Sequence, residues 1–220
     1  MVPSTVGHPG ATTPVWLYWL ARLWFRIFGW DTEGVAPPVA RGVLIAAPHT
    51  TNWDLPFMLA ASLVFRYRIR WLGKKSLFKP PFGWLMRALG GVPVDRSSPQ
   101  GLVKQVAAML TEADQLVIAV PPSGTRSKRD GWKSGFYWIA HEARLPVICG
   151  YLDYGKKRAG LGFHFVPTGD VTSDMDRVRA FYADIRGKYP ENESAMVLKE
   201  ELGASEGAEG AGEPEDRRGA

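Results

Sequence analysis

The chain has 220 residues, 45% of them hydrophobic and 22% charged. That is one large domain or two small ones with ample material for a core, so fibrous and wholly disordered readings are excluded. A single cysteine, Cys149, excludes an internal disulfide framework and a CxxC zinc pattern, and four scattered histidines supply no HExxH site. The net charge is +5, yet residues 203–220 hold five acids and only two arginines, so the rest of the chain is more basic still. A basic body favours anionic partners.

Residues 1–13 mix Gly, Pro, Thr and Ser without Lys or Arg, which suits a flexible N-terminus and not a charged leader. Residues 14–31 come next. Trp16, Leu20, Leu23 and Ile27 recur at helical spacing, Leu17, Trp24 and Phe28 widen the apolar face, and Arg22 and Arg26 form a cationic stripe. A helix over 15–30 would reach about 24 Å at ~1.5 Å per residue, short of a bilayer crossing. The expectation is an amphipathic helix lying in a membrane interface, with a helix capping the core as the alternative.

Residues 32–202 read as one α/β domain. Gly42–Pro48 is a short apolar run typical of a strand buried on both faces. A helix is expected over Trp53–Val64, a strand over Arg68–Leu72, and a short helix over Pro80–Leu89 stopped by Gly90-Gly91. A further helix starts at Ser98-Pro99 with Leu102, Val103, Val106 and Leu110 on one face. Strand Leu116–Val120, helix Gly135–Ala143, strands Pro146–Tyr151 and Leu161–Val166, and helix Met175–Lys188 follow. Strands alternating with helices predict a layered sheet flanked by helices. The Gly/Ala/Glu-rich tail, 203–220, predicts a disordered acidic segment.

Three stretches can carry chemistry. In Pro48-His49-Thr50-Thr51-Asn52-Trp53-Asp54, a buried strand gives way to a helix. Residues five apart on an ideal helix point about 140° apart. His49 therefore meets Asp54 only from the turn before the helix, with Asn52 as its expected N-cap. Asp54 would then hold Nδ1 and leave Nε2 free as a base; the plainer reading is a turn histidine and an ordinary first-turn acid. In Pro122-Ser123-Gly124-Thr125-Arg126, Gly124 lets the backbone turn N–H groups toward an anion and Arg126 can grip phosphate; a solvated basic loop is the alternative. The third stretch runs from Lys74-Lys75 to Gly91-Val-Pro-Val-Asp95-Arg96, and read alone it is also a charged edge strand. Neither a P-loop nor a Gly-x-Ser-x-Gly elbow is present.

In this order the blocks resemble the lysophosphatidate acyltransferase family of HxxxxD glycerophospholipid acyltransferases. His49 and Asp54 match its first block, Gly91 to Arg96 its second and Ser123 to Arg126 its third, with Ser123 where the family has glutamate. Leu145-Pro146-Val147-Ile148 matches an apolar strand with an internal proline.

The resemblance implies a glycerol-3-phosphate acyltransferase-like fold, with a mixed, largely parallel sheet flanked by helices. It also implies acyl transfer from acyl-CoA or acyl carrier protein to a lysophospholipid hydroxyl, lysophosphatidate first among acceptors. His49 would be the base and Asp54 its orienter. Lys75, Arg96, Ser123, Gly124, Thr125 and Arg126 would bind substrate, without metal or other cofactor. The expected location is the cytoplasmic face of a membrane.

Serine in place of glutamate implies a roomier, more positive acceptor site unless a nearby acid such as Asp130 or Asp153 takes over. Other readings are a different lipid or glycolipid acceptor, a non-catalytic lipid-binding member of the fold, or a nucleic-acid module. The last is disfavoured because no RRM, KH or zinc signature occurs.

Overall fold

A computed structural model describes residues 13–95 and 98–202. The segment 1–12, Arg96 and the 203–220 tail lie outside the described residues, and with them the expectations placed there.

In chain order the elements are α1 (Val15–Phe28), β1 (Asp31–Glu33), β2 (Arg41–Ala47), α2 (Asp54–Val64) and β3 (Ile69–Lys74). A 3₁₀ turn (Lys75–Phe78), α3 (Gly83–Ala88), β4 (Gly91–Val94), α4 (Pro99–Glu112) and β5 (Leu116–Val120) follow. Then come α5 (Gly135–Ala143), β6 (Val147–Asp153), β7 (Arg158–Phe165), α6 (Val171–Tyr182) and a last 3₁₀ turn, Pro190–Asn192. The seven strands form one sheet in the order β1-β7-β6-β2-β5-β3-β4. Every pairing is parallel except β6 with β7. The mixed, largely parallel sheet is thus as expected.

Alternation along the central strands divides the core in two. Val43, Ile45, Ile118, Val147 and Cys149 point to the face covered by α4, α5 and α6. Leu44, Val117, Ala119 and Ile148 point to the face covered by α1 and α2. Both faces are covered, which is why β2, β5 and β6 read as unbroken apolar runs.

Several boundaries differ from expectation for local reasons. Helix α1 stops at Phe28 because Gly29 turns left-handed (φ +69°) and donates back to Arg26 O. Trp30 then folds into the core and stacks on Phe57 with ring centres 4.4 Å apart. The α3 helix begins only at Gly83, after the cis Pro80-Pro81 turn. Helix α6 starts earlier, at Val171, because Asp170 caps it by accepting from Ser173 N at 3.0 Å. Edge strand β1 (Asp-Thr-Glu) has no apolar run to announce it, and edge strand β4 contains Pro93.

Among the described residues no helix is long and apolar enough to cross a membrane. Helix α1 packs Ala21 and Phe25 inward and leaves Trp16, Leu20, Leu23 and Ile27 more than half exposed. Of the face expected to be apolar, Trp24 and Phe28 pack on Phe57, and those four residues stay largely uncovered among the described residues.

Candidate active site

Strands β2 and β5 are neighbours, with Ile45 opposite Val120, so the turns leaving their C-terminal ends emerge side by side. One carries His49 and the other Gly124 to Arg126. Sheet order therefore brings together two motifs more than 70 residues apart, at the edge where open α/β sheets bind ligands.

Helix α2 begins at Asp54, and His49 lies in the turn before it, after the cis Ala47-Pro48 peptide. His49 Nδ1 stands 2.8 Å from Asp54 Oδ2. A carboxylate only accepts, so Nδ1 carries the proton and Nε2 keeps its lone pair. Asp54 is buried and fully engaged: Thr51 N–H donates to Oδ2 at 3.3 Å and the Tyr154 hydroxyl donates to Oδ1 at 2.8 Å. Its place in the first turn of a helix also favours a negative charge. Burial, and next the charge of Asp54, push the Tyr154 phenol far above its ordinary value, so it remains a donor at every working pH. The expected Asn52 cap is not formed. Trp53 holds the N-cap position without a side-chain bond, and the turn is tied instead by Thr51 Oγ1 accepting from Trp53 N at 3.3 Å.

The pair opens onto a cavity of about 600 Å³ between α2 and the sheet, a volume typical of ligand sites. Its floor is kept low by Ala46, Ala119 and Gly150, and Leu44, Met58, Phe65 and Leu161 furnish apolar walls. His49, Asn52, Lys74, Thr125 and Arg126 give it one polar end. Leu77 and Met86, from the 3₁₀ turn and α3, also line it.

Local hydrogen bonds hold the loop after β5. Gly124 N donates to Pro121 O at 3.0 Å, Lys133 N to Pro122 O at 2.8 Å, and Ser123 Oγ to Thr125 O at 2.7 Å. Gly124 has φ +64°, and a Cβ there would come within 3.2 Å of the Lys133 side chain, so glycine suits both the turn and the packing. Among the described residues, no ion pair or hydrogen bond occupies the Arg126 guanidinium.

Of the residues singled out in the sequence, the fold unites His49, Asp54, Gly124, Thr125 and Arg126 around one cavity. Ser123 is buried behind them, on a second, small pocket shared with His49, Thr50 and Glu193. Lys75 pairs with Asp95 at 3.0 Å and stands outside the cavity wall, which Lys74 lines instead. Asp153 is buried in a turn, accepting from Gly155 N at 3.0 Å and Lys156 N at 3.1 Å, and Asp130 is exposed. Glu193, beside Ser123, is the acid that neither of those anticipated; its Oε1 accepts from Gly187 N at 2.6 Å. Tyr154 was equally hidden, because only the pairing of β6 with β2 carries it to Asp54.

Residues 33–152 match the family model described as Acyltransferase. The chain belongs to this acyltransferase family. A 1-acyl-sn-glycerol-3-phosphate acyltransferase of Streptococcus pneumoniae (strain ATCC BAA-255 / R6) is 33% identical over 107 residues, 48% of this chain and 39% of that protein. A protein of the same description from Pseudomonas aeruginosa is 26% identical over 138 residues, 59% of this chain and 51% of that one. This acyltransferase-family chain thus spans about half or less of those relatives' length. The crystal structure of the 1-acyl-sn-glycerophosphate (LPA) acyltransferase PlsC from Thermotoga maritima aligns with TM-score 0.50 and 18% identity. That alignment covers 76% of this chain and 74% of the other, and it shows a shared fold.

Proposed function

We propose that this acyltransferase-family chain moves a fatty acyl group from acyl-CoA or acyl carrier protein to the hydroxyl of a lysophospholipid, with 1-acyl-sn-glycerol 3-phosphate as the leading acceptor. The observation that carries this reading is the His49–Asp54 pair, 2.8 Å apart, at the polar end of an apolar cavity. His49 Nε2 takes the acceptor's hydroxyl proton as that oxygen attacks the thioester carbonyl carbon. The carbonyl π electrons move to oxygen, and the backbone N–H groups of Thr125 and Arg126 stabilise that oxyanion. Collapse reforms the carbonyl, breaks the C–S bond and releases the thiolate, which recovers the proton from the His49 imidazolium. Asp54 steadies the transient cation and Tyr154 steadies Asp54. Arg126 receives the acceptor's phosphate through its planar fork. The acyl chain occupies the apolar remainder of the cavity.

The exposed Trp16, Leu20, Leu23 and Ile27 support a role for α1 as an in-plane membrane anchor, with Arg22 and Arg26 at headgroup depth. A second acceptor class, a more anionic lysolipid, is favoured by one observation: among the described residues no acid pairs with the Arg126 guanidinium that lines the cavity.

Release of free thiol from acyl-CoA and from acyl carrier protein, screened over lysophosphatidate, dephosphorylated monoacylglycerol and larger lysophospholipids, tests the reading. Turnover with phosphorylated acceptors and weak turnover of monoacylglycerol is the expected result. Equal use of both would remove Arg126 from the acceptor site, and no release with any acceptor would overturn the activity.

A further inference from the structure

Residues 74–91 contain Lys74, Lys75, Lys79 and Arg87 and no acidic residue. Within this stretch Phe82 is 66% exposed and Trp84 is 70% exposed. Rings so open to water, grouped with cations, mark a surface made for a partner.

The rings stand on a rigid base. Phe78 beneath them is buried, and a Cβ on Gly73, Gly83 or Gly91 would come within 2.7, 2.1 or 2.8 Å of it, so only glycine allows the backbone so close. The Arg87 guanidinium donates to Phe78 O and Gly83 O, each at 3.2 Å, and lies over the Phe78 ring at 5.4 Å. The segment also leaves β3 at the sheet edge that carries His49, and its Leu77 and Met86 turn inward to line the cavity. One side thus walls the cavity while the other presents two aromatic rings to solvent.

We propose that this knob is a lipid-surface contact in its own right, in addition to α1. Phe82 and Trp84 enter the headgroup boundary of an anionic bilayer beside the cavity mouth, and Lys74 and Lys79 meet lipid phosphates. Charge decides the occupant. A second copy of this chain would set one net-cationic patch against another, whereas an anionic bilayer complements it. Lys74 and Lys79 have no ion-pair partner among the described residues, so neither is already neutralised. Only the use of the cavity by an acyl chain rests on the acyl-transfer reading; the contact itself is measured by binding.

The full chain and its F82S/W84S and K74Q/K79Q variants are sedimented with vesicles of phosphatidylcholine alone or mixed equally with phosphatidylglycerol. On mixed vesicles F82S/W84S should partition about tenfold more weakly, with an unchanged thermal unfolding curve. K74Q/K79Q should lose about fivefold per lysine on mixed vesicles and little on phosphatidylcholine. Bromine-labelled lipid should quench the tryptophan fluorescence of the wild type more than that of W84F. Equal partition of F82S/W84S and wild type, or equal quenching of W84F, overturns the proposal. So does a loss of self-association in F82S/W84S without a vesicle effect, which would give the face to a second copy. Thiol release from a short-chain, water-soluble substrate should be the same in F82S/W84S and wild type. Failure of thiol release in both proteins would sink the acyl-transfer reading and leave the vesicle result standing.

Discussion

The two faces of the sheet are built from alternate residues of the same strands, yet one is closed and the other hollow. Under α4, α5 and α6, Phe136, Tyr137, Met175, Tyr182 and Leu198 are all fully buried. Their polar atoms are spent internally: the Tyr137 hydroxyl donates to Asp174 at 2.9 Å and the Tyr182 hydroxyl to Gly150 O at 2.9 Å. Asp174 also accepts from Thr168 N at 2.8 Å, so this buried acid is committed to structure. Under α2, by contrast, Ala46, Ala119 and Gly150 leave the floor low and a cavity of about 600 Å³ remains. At the polar end of that cavity the His49–Asp54 pair, among the described residues, keeps one imidazole nitrogen unspent. Large side chains on one face stabilise the fold, and small ones on the other leave room for a ligand.

The sharpest break in this comparison is a pair of variants with opposite readouts. His49→Ala should cut turnover ~10²–10⁴-fold, the usual worth of a positioned base, while the urea midpoint barely moves. Phe136→Ala should do the reverse, costing ~3–5 kcal/mol of stability because it empties a closed core, with the turnover of folded molecules retained. If His49→Ala turned over at the wild-type rate, or Phe136→Ala melted like wild type, the division between the faces would be wrong.

Filling the hollow face sharpens the contrast. Ala61, on the cavity wall, tolerates a larger side chain in a way that a closed core does not. Ala61→Phe should lower kcat/KM for long-chain donors about tenfold relative to short ones, with little change in melting temperature. A uniform loss across chain lengths would show that the acyl chain lies elsewhere.

The smallest effect is expected at Tyr154, which touches His49 only through Asp54. Tyr154→Phe removes one hydrogen bond to a buried carboxylate, and kcat should fall about tenfold or less with acceptor KM unchanged. The pH profile separates this from a structural role. Without the phenol, the Asp54 charge is less shared, attraction to the imidazolium grows, and the acidic limb of kcat/KM should move upward. A lower melting temperature with an unmoved acidic limb would make Tyr154 a packing residue only.

Local signals were strong where chemistry punctuates the chain. Strand Leu116–Val120 and helix Gly135–Ala143 match their expected bounds, because Pro121-Pro122 stops the one and an apolar helical run opening at Gly135 marks the other. The approach of His49 to Asp54 was also legible, since five residues across a turn into a helix leave few geometries. The cap was not: Asn52 has the right chemistry, but the turn places Trp53 at the helix start.

What the sequence by itself determined, then, is the α/β class, the order of the motif blocks and the residue types at the cavity's polar end. Each depends on neighbours within a few positions, where periodicity and turn chemistry act. Only the tertiary structure decided that Lys74 lines the cavity while Lys75 pairs with Asp95, and that Ser123 turns its hydroxyl to Thr125. It also decided which side of α1 is buried. That helix's own pattern points to Trp16, Leu20, Leu23 and Ile27, yet contact with Phe57 buries Phe25 instead. The bond from Tyr154 to Asp54 spans 100 residues. No local pattern encodes such a contact, because strand order alone sets which distant turns share an edge.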